Sequence, residues 1–573
     1  MPLPNSQNLS AIERVIKQLL EAVLFENCVE ASDKVGKFAW KLGEREYLIS
    51  GQRGAFGRYR LDIQSLCIDG VRANVAAHWQ QIIEDLPATE KTKYALAEEF
   101  SQTAALCEWN RRYVSKPESR RYQNFETLEG SLDEGHPYHP SFKARTGFSA
   151  ADHEAYGPES SKPFYLCWLA VKRTHIKQNL PQLHDAFWLR ELGRTQWLRL
   201  SGALSAQDKS WDEYSLLPMH PWQWQQLKQE QLLEPLADQT LIFLGLGADQ
   251  YTASQSVRTL MNASYSDRAN IKLPLSMVNT SSKRTLAPHS ICLAPVVSSW
   301  LNRIIESDFE LSALSILEEY AGARFHVPEM SSETSPLASE VAVIFRESVQ
   351  PKLHEGESAI PFNALMMLED DGLPFIAGWV ETYGLNIWLS RLIDVVVLPV
   401  WHLLVKHGIG IEPHGQNMVL VHRDGWPERV IVRDFHESVE YHLPFLANPE
   451  WLPDFASIEP FLADAPIDDY YGMSSVELLR ELVMDTLFVY SLTEVSFLIE
   501  KSYGMSEQSF WNMVGQKLED YADDHPELDS RLQQLGYTEA QVLTESLMTR
   551  KFKGSQAECH HLVPNPFHKY SQK

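Results

Sequence analysis

An α+β fold with antiparallel sheets follows from three features of the sequence. Apolar residues at helical spacing open the chain. Short stretches of alternating apolar and polar residues then recur as far as Phe345 without the regular helix-for-strand alternation of a parallel sheet. A long apolar helix, a hairpin pattern and largely helical sequence complete the C-terminal part. In chain order, Ser10 with Glu13 three residues on is a capping box, and Ile12, Val15, Ile16, Leu19, Leu20, Val23 and Leu24 give the helix behind it one buried face. Phe38–Trp40, Tyr47–Ile49 and Tyr59–Ile63 predict strands, and Asn74–Leu86 and Lys91–Tyr113 predict helices. From Arg120 to Pro163 the composition turns to Gly, His, Pro, Ser and Asp, which predicts an irregular, functional loop. Strands are expected around Leu241–Leu244, Ser256–Asn262, Ile271–Val278 and Val341–Phe345. A helix is expected over Asn386–His407, followed by two strands, Asn417–Val421 and Arg429–Val432, joined at the Asp424-Gly425 turn.

The chain has 573 residues, enough for several cores, and its 51 Lys and Arg against 76 Asp and Glu leave a net charge of −25. Such a surface repels nucleic acid and anionic lipid, so neither is expected as a partner. The six cysteines are scattered with no CxxC pair, which reads as reduced thiols. Leu385–Val405 is apolar but is broken by Arg391, Asp394, Pro399 and His402, a buried helix rather than a membrane span. With no secretion-type leader pattern at Met1, a cytoplasmic protein is expected. GxxxxGK[ST], GxGxxG, GxSxG and HExxH are all missing, which removes sequence support for P-loop, dinucleotide-binding, hydrolase-elbow and zincin chemistry.

Three segments carry chemistry. In GIGIEPHGQNMVLVHRDGWPERVIVRDFHESVE, Gly408–Glu440, two strands and a turn bring Glu412, His414 and Asn417 to the same end as Asp434. Oxygen donors so placed suit Mg²⁺ with a phosphate as further ligand. Kinases use a comparable Asn and Asp, but HGQN offers no carboxylate base. A carboxylate nucleophile needs none, so adenylation of an acid fits better than phosphorylation of an alcohol. Capping of a buried hairpin is the alternative. In SQSVRTLMN and IKLPLSMVNTSSKRTL, Ser256 and Arg258 on one strand face, with Lys272, Thr280 and Arg284 beyond it, form an anion clamp, or else guard a strand edge. In GHPYHPSFKARTGF, His136, His139, Lys143 and Arg145 suit a polycarboxylate. HPWQWQQ, from His220, reads as packing, and His436, His442, His560 and His561 as surface or structural histidines.

Taken in order, GHPYHPSFKARTGF, HPWQWQQ, SVRTLMN, IKLPLSMVNTSSKRT, EPHGQNMVLV and VIVRDFHES resemble the siderophore synthetases that work independently of nonribosomal peptide synthetases, the aerobactin and achromobactin synthetase family. The resemblance spans essentially the whole chain. It implies a cupped hand with a thumb over 1–130, fingers over 131–347 and a helical, kinase-like palm over 348–573, assembled as a homodimer. It also implies that ATP with Mg²⁺ adenylates a carboxylic acid, which an amine or alcohol captures as AMP and pyrophosphate leave. By the same resemblance Arg258, Lys272, Arg284 and His414 are catalytic, and Ser256, Thr280, Gln416 and Asn417 join them on ATP. His139, Lys143, Arg145, Thr280 and Arg284 hold the substrate carboxylates, and Glu412, Asn417 and Asp434 the metal. Ser282-Lys283-Arg284-Thr285 departs from the Cys-aromatic-Arg-Gly pattern of the monoacylated-substrate class, which points to free citrate. Lys551, Lys553 and LVPNPF resemble a family tail without an assigned role. A kinase-like phosphotransferase that releases ADP, and a nucleotide-binding partner without turnover, stay open as alternatives.

Overall fold

The computed structural model describes residues 9–115, 117–132, 134–280, 282–554 and 558–569. The opening helix, Ala11–Phe25, starts at the expected capping box, with Ser10 accepting from the Glu13 N–H and Glu13 reaching back to the Ser10 N–H. Its apolar face is buried between the helix Glu90–Tyr113 and a five-stranded antiparallel sheet over residues 31–72, whose strands pair in sequence order. The predicted strands are present and longer, at Lys37–Leu42, Arg45–Arg53 and Tyr59–Ile68.

The central element is an eight-stranded sheet, antiparallel at every junction. Its order is Ile176–Asn179, Glu319–Phe325, Ala342–Arg346, Asn270–Lys272, Thr259–Asn262, Leu241–Ala253, Phe164–Lys172 and Tyr214–Met219. The helix Pro288–Ser307 packs on it so closely that a Cβ built on Gly322 would lie 1.8 Å from the Ile291 carbonyl oxygen. Replacing Gly322 by Ala is therefore expected to lift helix from sheet and cost about 1–3 kcal/mol in urea unfolding. An unchanged midpoint would mean that the two elements pack less tightly.

Two strand expectations are corrected here. Ser256 and Arg258 do not share a strand face, because residues 254–258 turn, with Val257 at φ 68° and the Thr259 N–H bonded to Ser256 Oγ at 3.1 Å. The expected run Ile271–Val278 is extended only at its two ends, Pro274 having no N–H for a ladder. The loop expected over residues 120–163 contains two short helices, Phe125–Ser131 and Ala150–Tyr156, capped by Asn124 and Ser149.

The C-terminal part has a four-stranded sheet ordered Leu314–Ile316, Trp426–Val432, Met418–Arg423 and Ser358–Pro361. Asp424 and Gly425, at φ 51° and 87°, make the predicted tight turn. The strand Leu314–Ile316 joins this sheet in parallel, Leu314 opposite Val430, so the sheet draws on residues from both sides of position 347. Two helices, Leu385–His407 and Val476–Tyr503, are long and apolar enough to cross a membrane, but their apolar windows are 72% and 78% buried inside the fold.

Candidate functional site

Four chain segments converge where the central sheet meets the 418–432 hairpin. The turn bearing Thr280 is braced first. Thr280 N–H donates to Ser141 O and Thr146 N–H to Val278 O, both at 3.0 Å, and Val278 N–H donates to Thr146 Oγ1 at 2.8 Å. On the other side the Gln223 amide bonds Ser276 through both its ends, 2.8 Å each, so HPWQWQQ supports the clamp rather than a ligand. Thr280 holds φ 57°, and Arg284 reaches back to its hydroxyl. Leu273 N–H bonds Arg258 O, and Leu275 N–H bonds Arg284 O, both at 2.9 Å, which ties Arg258, Lys272 and Arg284 into one unit.

These cations are crowded. Burial and the adjacent Arg258 guanidinium pull Arg284 down to about 9. Burial likewise lowers Lys272, against the pull of Asp434 and with the push of Arg258. Asp434, at φ 69°, accepts on one oxygen from both Arg346 at 2.6 Å and Lys272 at 3.1 Å. Burial favours its protonation, but Lys272 and Arg346 outweigh burial and hold it well below the usual carboxylate range. Arg258 donates to Thr285 O.

Opposite them, Glu412 accepts from Ser438 Oγ on one oxygen at 2.5 Å, and its other oxygen lies 3.8 Å from His414 Nε2. The Gln416 N–H donates to His414 Nδ1 at 3.1 Å, which turns Nε2 outward, and burial keeps the ring below its ordinary pKa. Asn417 donates its side-chain N–H to Glu412 O at 3.1 Å. Glu412, Asn417 and Asp434 thus bring three oxygen-bearing side chains to one end of the hairpin, as expected. Inside the same cleft His139 Nε2, Arg284 Nε and His436 Nε2 are buried without a hydrogen-bond partner. Buried polar atoms are seldom left so, and three together mark a place for a ligand.

The structure gives Lys143 and Arg145 a role other than the expected one. Both are almost fully buried, and both bond Glu159, Lys143 at 2.5 Å and Arg145 at 2.7 and 2.8 Å. Burial opposes the Glu159 charge, yet Arg145 and Lys143 hold its carboxyl well below the usual range. They fix the 141–146 loop that braces Thr280; of the predicted loop residues, His139 sits in the field of Lys551 and Arg284, and His136 in that of His414 and Arg284. Ser256 is spent on the 254–258 turn.

Sequence reasoning missed Arg346, Arg433, Glu129 and Glu319. Arg433 is held by Glu129 at 2.5 Å and by Gln416 O at 2.9 Å, and Glu319 accepts from the His436 ring at 3.0 Å. The available signal was a charge ending an apolar strand, as in VAVIFR and VIVRD. Lys551 pairs with Glu99 and donates to Thr280 O at 3.2 Å, so the tail also holds this turn. Also unforeseen, Asp308, His402 and His407 have metal-ligand spacing, but one Asp308 oxygen already takes Lys406 at 2.7 Å and both rings.

Three fully buried histidines make the fold acid-sensitive. His153 donates from Nε2 to Asn110 at 2.8 Å and faces Arg145 through Nδ1 at 2.9 Å, a neutral ring with no room for a second proton. Burial lowers His153 and His220 to about 3 and places His139 well below normal. Depressed histidines are neutral when folded and protonate when unfolded below about pH 6.5, so stability is lost as pH falls. Each should cost about 2 kcal/mol between pH 7 and pH 5. Urea melts at the two pH values check this, and a flat profile would contradict neutral burial.

Comparison with known proteins identifies the family of the chain. The model of the IucA / IucC family matches residues 124–367, and that of the "Ferric iron reductase FhuF-like transporter" family matches 386–558. The citryl-spermidine/3,4-dihydroxybenzoyl-citryl-spermidine:spermidine ligase of Bacillus anthracis is 32% identical, over 98% of this chain and 94% of its own. The aerobactin synthase of Escherichia coli is 30% identical, over 69% of this chain and 68% of its own. The crystal structure of the petrobactin biosynthesis protein AsbB from Bacillus anthracis str. Sterne superposes with TM-score 0.90 at 31% identity, covering 98% of this chain and 96% of that one. The chain belongs to the IucA/IucC family, the siderophore synthetases that work independently of nonribosomal peptide synthetases.

Proposed function

We propose that the protein is an ATP-dependent ligase that adenylates citrate and joins it to an amine, releasing AMP and pyrophosphate. The observation that carries this reading is the packing of Arg258, Lys272 and Arg284 into one cleft with Arg284 Nε and His139 Nε2 unpartnered. Mutually repelling buried cations are costly unless polyanions share them, and a triphosphate beside a tricarboxylate supplies that charge.

A carboxylate oxygen of the acid forms a bond to the α-phosphorus, and the bond from that phosphorus to the bridging oxygen breaks as pyrophosphate departs with the electron pair. The amine nitrogen then bonds the acyl carbon, AMP leaves, and the nitrogen loses a proton. Arg258, Lys272 and Arg284 align the anions and neutralise charge that develops on the leaving phosphates. Outward-facing His414 Nε2 donates to a phosphate oxygen. The oxygen set of Glu412, Asn417 and ionised Asp434 suits Mg²⁺, which would supply further charge neutralisation when bound. The family resemblance extends the proposal to a homodimer of cupped-hand subunits with a kinase-like palm, acting in the cytoplasm.

A citrate monoamide is the second reading for the acid, because the Bacillus anthracis relative is named for citryl-spermidine. Pyrophosphate release and hydroxylamine trapping with citrate, citryl monoamides, 2-oxoglutarate and succinate distinguish them. Acid-dependent pyrophosphate with citrate or its monoamide is expected. ADP as the product with an alcohol would favour the phosphotransferase instead, and no turnover with any acid would overturn the ligase reading.

A further inference from the structure

A cavity of about 810 Å³ has none of the clamp cations in its wall, yet it shares that wall with two of the clamp's braces. Volumes of this order are typical of small-molecule sites. The end of the helix Glu90–Tyr113 carries Trp109 and Tyr113, four residues apart and so on one face, with ring centres 5.3 Å apart and planes at 45°. Trp109 meets the His153 ring at 4.9 Å in a perpendicular contact, and Tyr113 is 61% exposed. The wall also takes in Thr127, Gly130 and Ser131 of the helix Phe125–Ser131 and the turn at Glu159, Ser160 and Ser161. These two segments touch, since a Cβ on Gly130 would lie 2.6 Å from both Pro158 O and Ser161 Oγ.

The charges around this cavity are spent on one another. Arg120 holds Glu369 and Glu134, both at 2.9 Å, Lys162 pairs with Glu154, and Glu159 takes Lys143 and Arg145. Asp370 is engaged as well. An ion entering would lose water without meeting a free counter-charge, so the wall selects an uncharged guest. The apolar part of the wall is an aromatic pair, which favours a flat ring against it. Gln123 supplies a polar handle, because its Oε1 is buried without a hydrogen-bond partner and calls for an N–H or O–H donor.

Both shared segments reach the reaction site. Glu159 anchors Lys143 and Arg145 in the loop that braces Thr280, and Glu129 on the helix holds Arg433 at 2.5 Å and the Gln255 N–H at 3.1 Å. Arg433 in turn holds Gln416 O at 2.9 Å, beside His414. A ligand that fits the cavity favours the arrangement in which these bonds are made.

We infer that the cavity is an effector site for an uncharged aromatic molecule with a hydrogen-bond donor, and that its occupancy strengthens citrate binding. Coupling of this kind is reciprocal, so citrate should tighten the aromatic ligand by the same factor. Only the citrate half rests on the ligase reading.

The probe is indole, an uncharged ring with an N–H, with benzylamine, benzoate and cyclohexanol as its cationic, anionic and non-aromatic counterparts. Calorimetry should give indole a Kd of about 0.1–1 mM and each counterpart a value at least about fivefold weaker. Tyr113→Ala should weaken indole about fivefold by removing one ring of the aromatic pair. Thr127→Trp, which fills the cavity from an exposed helix position, should weaken it more than about tenfold. Neither residue belongs to the clamp, so turnover without indole should match wild type. No indole binding, equal binding by the variants and wild type, or tighter binding of any counterpart would overturn the site. In acid-dependent pyrophosphate release, saturating indole should lower the citrate KM about twofold in wild type and leave that of Thr127→Trp unchanged. An unchanged or raised KM in wild type would overturn the coupling. If no acid supports turnover but indole binds and both variants weaken it, the ligase reading fails and the site stands. If turnover proceeds and indole does not bind, the site fails alone.

Discussion

Arg284→Ala should lower acid-dependent pyrophosphate release by roughly a hundred- to a thousandfold, which is about 3–4 kcal/mol of barrier for loss of one preorganised donor. The fold should not suffer. Arg284 is held against Arg258, and its pKa is driven down chiefly by burial, so its removal relieves a repulsion between buried cations. The thermal midpoint is expected to hold or rise while turnover collapses. Arg284→Lys should recover only part of the rate, because an ammonium cannot reproduce the two-pronged guanidinium contact. Normal turnover in Arg284→Ala would remove this residue from the account, and a large loss of stability would mean that its role is to hold the fold.

Glu159→Ala should destabilise the protein by about 3–5 kcal/mol, the usual result of removing one partner from a buried ion cluster. Lys143 and Arg145 would lose the carboxylate that both now share, in a place where their side chains are only 2% and 4% exposed. Activity should fall with stability, because the 141–146 loop is what fixes Ser141 O and Thr146 against the Thr280 turn. Urea unfolding gives the first quantity and the citrate KM the second. A stable Glu159→Ala protein with only a raised citrate KM would return Lys143 and Arg145 to direct contact with substrate.

These two sites also show how much could be read from the chain itself. The helix behind Ser10, the strands about Trp40 and Ile63, and the Asp424-Gly425 hairpin depend on neighbours within a few residues, and they are legible for that reason. Arg284, Lys272, His414 and Asp434 could be singled out because charged and oxygen-bearing side chains gather within short motifs. What the motifs could not reveal was which cations were already neutralised. Glu159 lies 14 residues beyond Arg145 and 16 beyond Lys143, and only tertiary burial joins the three. Arg346 meets Asp434 across 88 residues, and Arg433 meets Glu129 across 304. Val257 misled in a different way, since a β-branched residue at φ 68° runs against its own preference for extended backbone.

The central claim is that crowded cations bring an acid's oxygen onto the innermost phosphorus of ATP. It is tested most directly with citrate labelled with ¹⁸O in its carboxylates, ATP, Mg²⁺ and an acceptor amine. The account predicts one labelled oxygen transferred to AMP for each amide formed, with unlabelled pyrophosphate. Label in inorganic phosphate, or ADP in place of AMP, would contradict it.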